Sequence, residues 1–346
     1  MVFWSQCEEL DGTVKSVLEP VAADIDRENI IPEDVLNQLF DVGVFDLGDS
    51  LGDLLCKVRV VARYSPAVAH TLLVHAGSWL ALGRPELGRG EILALSITEP
   101  GGGTDLRASL KTKAEREGEA WYITGTKIFT SNAPYASDYV VLAVGPAGPS
   151  LYRVSRSGNV KYELLDLIGL RGTGASIVHY ERAGGQPVGT PGKGIKEALK
   201  GINLGRLGYG AIALGIIDAS LRIIVEKASS TVIFGRELLT YQGIKWRIAD
   251  IHMKARALED LIEAIVSRAG DTWIVDPERA AIVKVMGAEA AQKASWAAVQ
   301  IMGGRGLARW SKPERLQRDA RALDIGEGAR EVLLDYIASQ AVKAYT

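Results

Sequence analysis

The sequence predicts a multi-domain α and β protein with a helical N-terminal domain over 1–92 and a small all-β middle domain over 93–183. A linker over 184–193 and a C-terminal four-helix bundle over 194–346 complete it. Three observations carry this prediction. Apolar residues recur at steps of three and four before residue 90 and again after residue 194, and short runs rich in β-branched and aromatic residues lie between. The length, 346 residues, is too great for one ordinary core.

In the first domain Val35, Leu36, Leu39, Phe40 and Val44 keep a helical spacing, and Pro32 suits a helix's first turn. A second series through Val58, Val61, Ala67, Ala69 and Leu72 is broken by Pro66 and carries His70 and His75. With no third ligand nearby, these histidines read as packing or surface residues rather than a metal site. The runs 92–98, 121–124, 127–130, 139–144, 151–154 and 176–180, several separated by glycine turns, suit the strands of a barrel or sandwich. Gly184-Gly185 and the Pro-Gly-Lys-Gly run at 191–194 read as a linker. Beyond it, Ile248, Ile251, Ala255, Leu258, Ile262 and Ile265 form an amphipathic stripe. Similar faces at 216–225, 282–290 and 332–337 make four long segments of a bundle.

Charge excludes some functions. Lys+Arg 40 against Asp+Glu 42 gives a formal net of -2 with no basic block, which argues against a nucleic-acid partner. Cys7 and Cys56 lack CxxC or Cys/His spacing, so neither a disulfide framework nor a zinc site is suggested. No leader-like segment is seen, and no run approaches the roughly 18 apolar residues of a membrane span. The chain reads as cytoplasmic.

Glu327 lies between Gly326 and Gly328 at the mouth of a predicted helix. It either favours the positive end of that helix or sits on a tight loop as a base facing a ligand. The stretch Ser96-Ile-Thr-Glu-Pro-Gly-Gly-Gly-Thr-Asp105 follows a strand and combines exposed amides with Thr98 and Thr104, equipment for a polar heterocycle or simply a turn. In Gly125-Thr-Lys-Ile-Phe-Thr-Ser-Asn132, the ring of Phe129 precedes Thr130 and Ser131, a pairing that suits a ring system. Gln300-Ile-Met-Gly-Gly-Arg-Gly306 ends a helix with glycines that either terminate it or admit phosphate or adenine.

In this order the motifs resemble those of the acyl-CoA dehydrogenase family over nearly the whole chain. Ile97-Thr-Glu-Pro100 with Gly103-Thr-Asp105 is similar to the family's flavin-facing strand motif, and Lys127 to Asn132 to its Lys-x-Trp-Ile-Thr-Asn. Phe234-Gly-Arg with Gln242 resembles its Phe-Gly and Gln pair, Gln300 to Gly306 its Gln-x-x-Gly-Gly-x-Gly, and Glu327-Gly328 its catalytic Glu-Gly. The resemblance implies FAD between the β domain and the bundle, and oxidation of an acyl-CoA thioester to the trans-2-enoyl-CoA. Glu327 would be the α-proton base, with hydride passing to flavin N5. It further implies flavin contacts from Leu95, Ile97, Thr98, Gly103, Thr104, Phe129, Thr130 and Ser131, with Ser131 near N5. Phe234, Gln242, Gln300, Gly303, Gly304 and Gly328 would complete the cofactor site. Thr104, Asn203, Arg206 and Gly326 would line the substrate site. Fatty acid metabolism, an electron-transferring flavoprotein or similar acceptor, and a homodimer or homotetramer go with the same resemblance.

The chain departs from the family in places. The arginine that reaches FAD phosphates across a subunit interface falls on Thr231, with Arg222 or Arg236 as candidate replacements. The tyrosine before the catalytic Glu is Gly326 and the flavin-covering tryptophan is Phe129, which trims the pocket walls and suggests room for a bulkier or branched acyl group. Ala329 replaces the threonine after Glu-Gly, and the chain is short by about one helix between Leu82 and Glu91. Where some relatives carry the base on a bundle helix, this sequence has Gly205, which leaves Glu327 as the candidate. Two alternatives accompany the dehydrogenase reading: a non-catalytic acyl-CoA-binding or assembly paralogue with weakened FAD binding, and an oxygen-using acyl-CoA oxidase.

Overall fold

The structure, a computed structural model, describes residues 4, 8–48, 50–103 and 105–346, without the side chain of residue 107. The N-terminal part contains α1 (Glu8–Leu18), α2 (Ala22–Glu28), α3 (Glu33–Asp41), α4 (Leu51–Ala62) and α5 (Pro66–Ala81). Ser50 and Ser65 cap α4 and α5 by accepting from the amides of Asp53 and Val68, and Pro66 opens α5, where its missing N–H costs no helical bond. Nearly every residue of α5 is buried, so it is a core helix rather than an amphipathic one.

The middle part contains β1 (Leu93–Ser96), α6 (Leu106–Ser109), β2 (Lys113–Glu117), β3 (Ala120–Thr130), β4 (Asp138–Gly145), β5 (Gly148–Ser155), β6 (Val160–Leu164) and β7 (Ser176–Val188). The order β1-β4-β2-β3-β7-β5, with β5 also pairing β4, closes the sheet into a barrel. Tyr139, Val141, Tyr152, Val154, Val178 and Tyr180 fill it. Three readings change here. β2 and β6 went unread because each buries a single residue and turns charged side chains outward, erasing the apolar alternation. The runs at 121–124 and 127–130 are one bulged strand, β3. Strand β7 continues through Gly184 and Gly185 to Val188, so the stretch read as a linker begins in a strand.

The C-terminal part begins with α7 (Gly194–Ser230), followed by the hairpin β8 (Val232–Ile233) and β9 (Arg236–Glu237). Then come α8 (Gln242–Ala269), α9 (Pro277–Met302), α10 (Lys312–Ala322) and α11 (Arg330–Tyr345). Helix α7 is long and apolar enough to cross a membrane by composition, but it is mostly buried within the protein. Its apolar residues Leu207, Ile212, Leu214 and Ile216 share one core with Leu55, Val61, Leu72 and Leu73 of α4 and α5 and with Ile262 and Ala291 of α8 and α9. The N-terminal helices and the bundle thus bury one another's apolar faces. Partly buried ion pairs reinforce the junction: Arg59 bonds Asp218 at 2.8 Å and Glu259 at 2.8 Å, and Arg63 bonds Asp218 at 3.0 Å. Cys56 is disulfide-bonded, where the spacing of the cysteines suggested no disulfide.

Candidate active site

Glu327 stands on the loop between α10 and α11, in the left-handed region at φ 56. That conformation is costly for a residue with a Cβ and persists only where the surroundings enforce it. Two cations do so through main-chain oxygens. Arg206 of α7 donates from Nε to the Glu327 carbonyl at 2.9 Å and from Nη1 to Asn203 Oδ1 at 3.0 Å. Lys284 of α9, fully buried, donates from Nζ to the carbonyls of Asp324 and Gly328, both at 2.8 Å. The loop is pinned from behind, and among the described residues no donor is spent on the Glu327 carboxylate or taken from its N–H.

The carboxyl lies against the main chain of α7. A Cβ at Gly205 would sit 2.6 Å from Glu327 Cδ and 2.7 Å from its Oε2, so a side chain at 205 and the carboxyl of 327 exclude each other. Glu327 keeps partial solvent access, yet burial raises its carboxyl to about 7, with Arg206 and Lys284 pulling it back down. Burial lowers Lys284 to about 8, against the attraction of Asp324 and Glu327.

The expected room beside Gly326 is occupied. A Cβ there would overlap the hydroxyl of Tyr209, a buried residue of α7, so the aromatic side chain missing from the loop is supplied by the helix. At Gly326 this corrects the expectation of added room. Burial, and then the charge of Glu327, hold the Tyr209 phenol well above its usual range, so it stays protonated. Tyr209 packs edge-on against His70 at 5.5 Å between ring centroids, and His70 Nε2 lies 3.2 Å from Ser131 Oγ. Both histidines are buried, and His75 accepts the Leu93 amide at Nδ1. Side chains therefore connect the end of β3 to the Glu327 loop.

The first two motifs come together at the barrel's edge. Thr98 accepts the Ile128 amide at 2.9 Å, buried Lys127 donates to the Ile97 carbonyl at 3.0 Å and to Glu99 at 2.9 Å, and Gly103 packs beside Thr98. Leu95 and Thr98 keep partial exposure. Phe129 sits at φ 58 with its ring 57% exposed, a second strained residue with an uncovered apolar face. Ser131 is partly open, whereas Thr130 turns inward to Ser96 at 3.0 Å, which leaves only its main chain for a ligand. Thr104 lies outside the described residues. Phe234, Gln242 and Gln300 are exposed, Gly303 adopts φ 63, and no atom lies within 4 Å of a Cβ built on Gly303 or Gly304. This glycine turn is open on its outer side, as a phosphate or adenine cradle requires. An exposed ring at Phe129, a partly open hydroxyl at Ser131 and the open turn at 303–304 fit FAD. Of the proposed phosphate partners, Arg222 lies near the Tyr64 hydroxyl, which itself donates to Asp11, while Arg236 stacks on Tyr241 beside the exposed hairpin that carries Phe234.

Sequence reasoning did not single out Tyr209, His70 or Lys284 for the site. The available signal for Lys284 was its place in an apolar run, Ala280 to Val285, where an unpaired ammonium is not expected.

Comparison with known proteins places the chain in a family. Residues 94–183 match the acyl-CoA dehydrogenase middle-domain model and 192–342 the acyl-CoA dehydrogenase C-terminal-domain model. The chain is 30% identical to a cyclohexane-1-carbonyl-CoA dehydrogenase of Geobacter metallireducens, over 97% of this chain and 96% of that protein. It is 29% identical to the human mitochondrial short-chain specific acyl-CoA dehydrogenase, over 95% and 87% of the two chains. The butyryl-CoA dehydrogenase structure from Megasphaera elsdenii shares the fold at TM-score 0.90 and 24% identity, covering 99% and 98% of the chains. The chain belongs to the acyl-CoA dehydrogenase family of oxidoreductases.

Proposed function

We propose that this chain oxidises a short acyl-CoA thioester across Cα–Cβ to the trans-2-enoyl-CoA, with Glu327 as the base. The observation that carries this reading is the Glu327 carboxyl, packed on Gly205 with its main chain held by Arg206 and Lys284 and its basicity raised by burial. A carboxylate that titrates near neutrality is matched to proton abstraction at working pH. The Glu327 N–H, uncommitted within the described chain, supports a role in polarising the thioester carbonyl as charge develops there. Thr98, Phe129, Ser131 and the 303–304 turn would hold FAD, which would supply the acceptor for the β hydrogen. An electron-transferring flavoprotein or similar acceptor, and a cytoplasmic location checked by cell fractionation, belong to the same reading.

The direct test is anaerobic addition of a panel of acyl-CoA thioesters to the purified protein. Bleaching of the flavin band by saturated short-chain thioesters is expected. A colourless protein that takes up no FAD would favour the binding paralogue, and rapid return of the band in air would favour the oxidase.

Pocket size gives a second test. Tyr209→Ala should raise the preference for hexanoyl-CoA over butyryl-CoA about tenfold in kcat/KM, since pocket methylenes discriminate on that order. An unchanged ratio would remove Tyr209 from the acyl wall.

A homodimer, or a dimer of dimers, is part of the proposal. Phe234 is 95% exposed at φ 50, and Trp246, Met253, Met286 and Trp296 of α8 and α9 are also uncovered, an apolar surface suited to a second copy. Thr231→Arg, at the base of the Phe234 hairpin, should tighten FAD about tenfold as a charge-assisted phosphate contact is added. Sedimentation followed at the flavin band reads both claims: flavin on a monomer, or equal FAD affinity in the variant, contradicts them.

A further inference from the structure

We propose that His70 is a positioning residue that turns the Ser131 hydroxyl toward the flavin site, by donating a hydrogen bond to Ser131 from Nε2. The inference rests on the cofactor reading above, but its central element is a property of the protein alone. His70 projects from α5 and is buried, with Nε2 3.2 Å from Ser131 Oγ and Nδ1 without a hydrogen-bond partner among the described residues. Tyr209 closes the other side of the ring. The imidazole is neutral, because burial lowers it to about 4.

A neutral imidazole has one donor and one acceptor, so two arrangements are open. With the proton on Nδ1, a buried N–H would be left unpaired and Nε2 would consume the only proton Ser131 has. With the proton on Nε2, the donor is satisfied and the unpaired atom is an acceptor, the less costly orphan. The second arrangement leaves the Ser131 O–H free. Oγ, accepting from a histidine on its protein side, then directs its proton toward the open side of the residue. A flavin seated there is offered a donor rather than a lone pair. A side chain on a buried helix thus decides the sign of a contact made by a residue on the barrel.

The test has two arms. In the first, protein labelled with 15N in its four histidines is examined by long-range 15N–1H correlation, with His70→Phe identifying the His70 signals. Wild-type His70 is expected to be neutral at pH 7 with its proton on Nε2. A proton on Nδ1, or a cationic ring, overturns the proposal whether or not the protein holds FAD. In the second arm, FAD-loaded wild type, His70→Val, His70→Gln, Ser131→Ala and the Val/Ala double variant are compared by visible flavin spectrum and anaerobic reduction rate. His70→Val should shift the spectrum and slow reduction about tenfold, in the way Ser131→Ala does. The double variant should be no worse than Ser131→Ala, and Gln, which keeps a side-chain N–H, should restore most of the effect. Additive losses, or a His70→Val spectrum identical to wild type, would show that His70 only fills space. Failure of the protein to take up FAD would instead count against the proposed function and leave the first arm decisive for His70.

Discussion

Glu327→Gln is expected to lower the rate of thioester-dependent flavin reduction by about 10³-fold or more while leaving FAD content and thioester binding nearly unchanged. The amide keeps the shape of the carboxyl on Gly205 and removes only its basicity, and positioned general bases contribute on the order of 10²–10⁴-fold. In the wild type the reduction rate should rise with pH through an inflection at about 7, as the carboxyl ionises. That inflection should vanish in the variant.

The same substitution should stabilise the fold. The folded-state pKa of Glu327 lies above its unfolded value of 4.5, so its contribution is fully favourable below the unfolded pKa and is lost as pH rises through about 7. At pH 8 the wild type therefore holds an ionised carboxylate in a site that disfavours it. Removing that penalty should raise stability by about 2 kcal/mol, less than the full shift implies because some solvent access remains. Denaturant titration at pH 5 and pH 8 measures it, with most of the gain expected at the higher pH. A variant that is inactive but no more stable at pH 8 would mean the carboxyl is ordinarily solvated, and retained reduction would place the base elsewhere.

Lys284→Met is the second substitution with a large expected effect. Methionine approximates the length of the side chain but deletes the ammonium that binds the Asp324 and Gly328 carbonyls, leaving two acceptors in a buried place. A loss of about 3 kcal/mol is expected in urea titration, in the range for breaking a buried charged hydrogen-bond network. Lys284 also helps hold the pKa of Glu327 down, so the inflection in the reduction rate should move upward in the variant. A purely structural lysine would change stability without moving that inflection. An unchanged midpoint and an unchanged inflection would show that Arg206 alone secures the loop.

The readable parts of the fold were those whose pattern is local. The stripe through Ile248, Ile251, Leu258 and Ile262 marks α8, and Pro66 marks the start of α5, because each feature acts within a few residues of itself. Strands β2 and β6 were not readable, since a surface strand with one inward side chain has almost no period to detect. At the site, Gly-Glu-Gly and the Phe129 to Ser131 run were visible as motifs, although the motif did not show that Thr130 would turn to Ser96 and Ser131 to His70. Alternation along β3 is interrupted by a bulge before Thr130, and side-chain direction after a bulge is set by the partner strand β7.

By itself the sequence determined the helix, strand and helix order and the acid on a glycine-flanked loop, because backbone preference and hydrophobic period are written residue by residue. Tertiary structure decided what surrounds that acid. Gly205 of α7 clears space for its carboxyl, Tyr209 replaces the aromatic side chain absent at Gly326, and Lys284 of α9 binds its loop. Each of these depends on the distance between segments far apart in the chain. It was the packing of helices against one another, rather than any local pattern, that made glycine, tyrosine and lysine parts of one site.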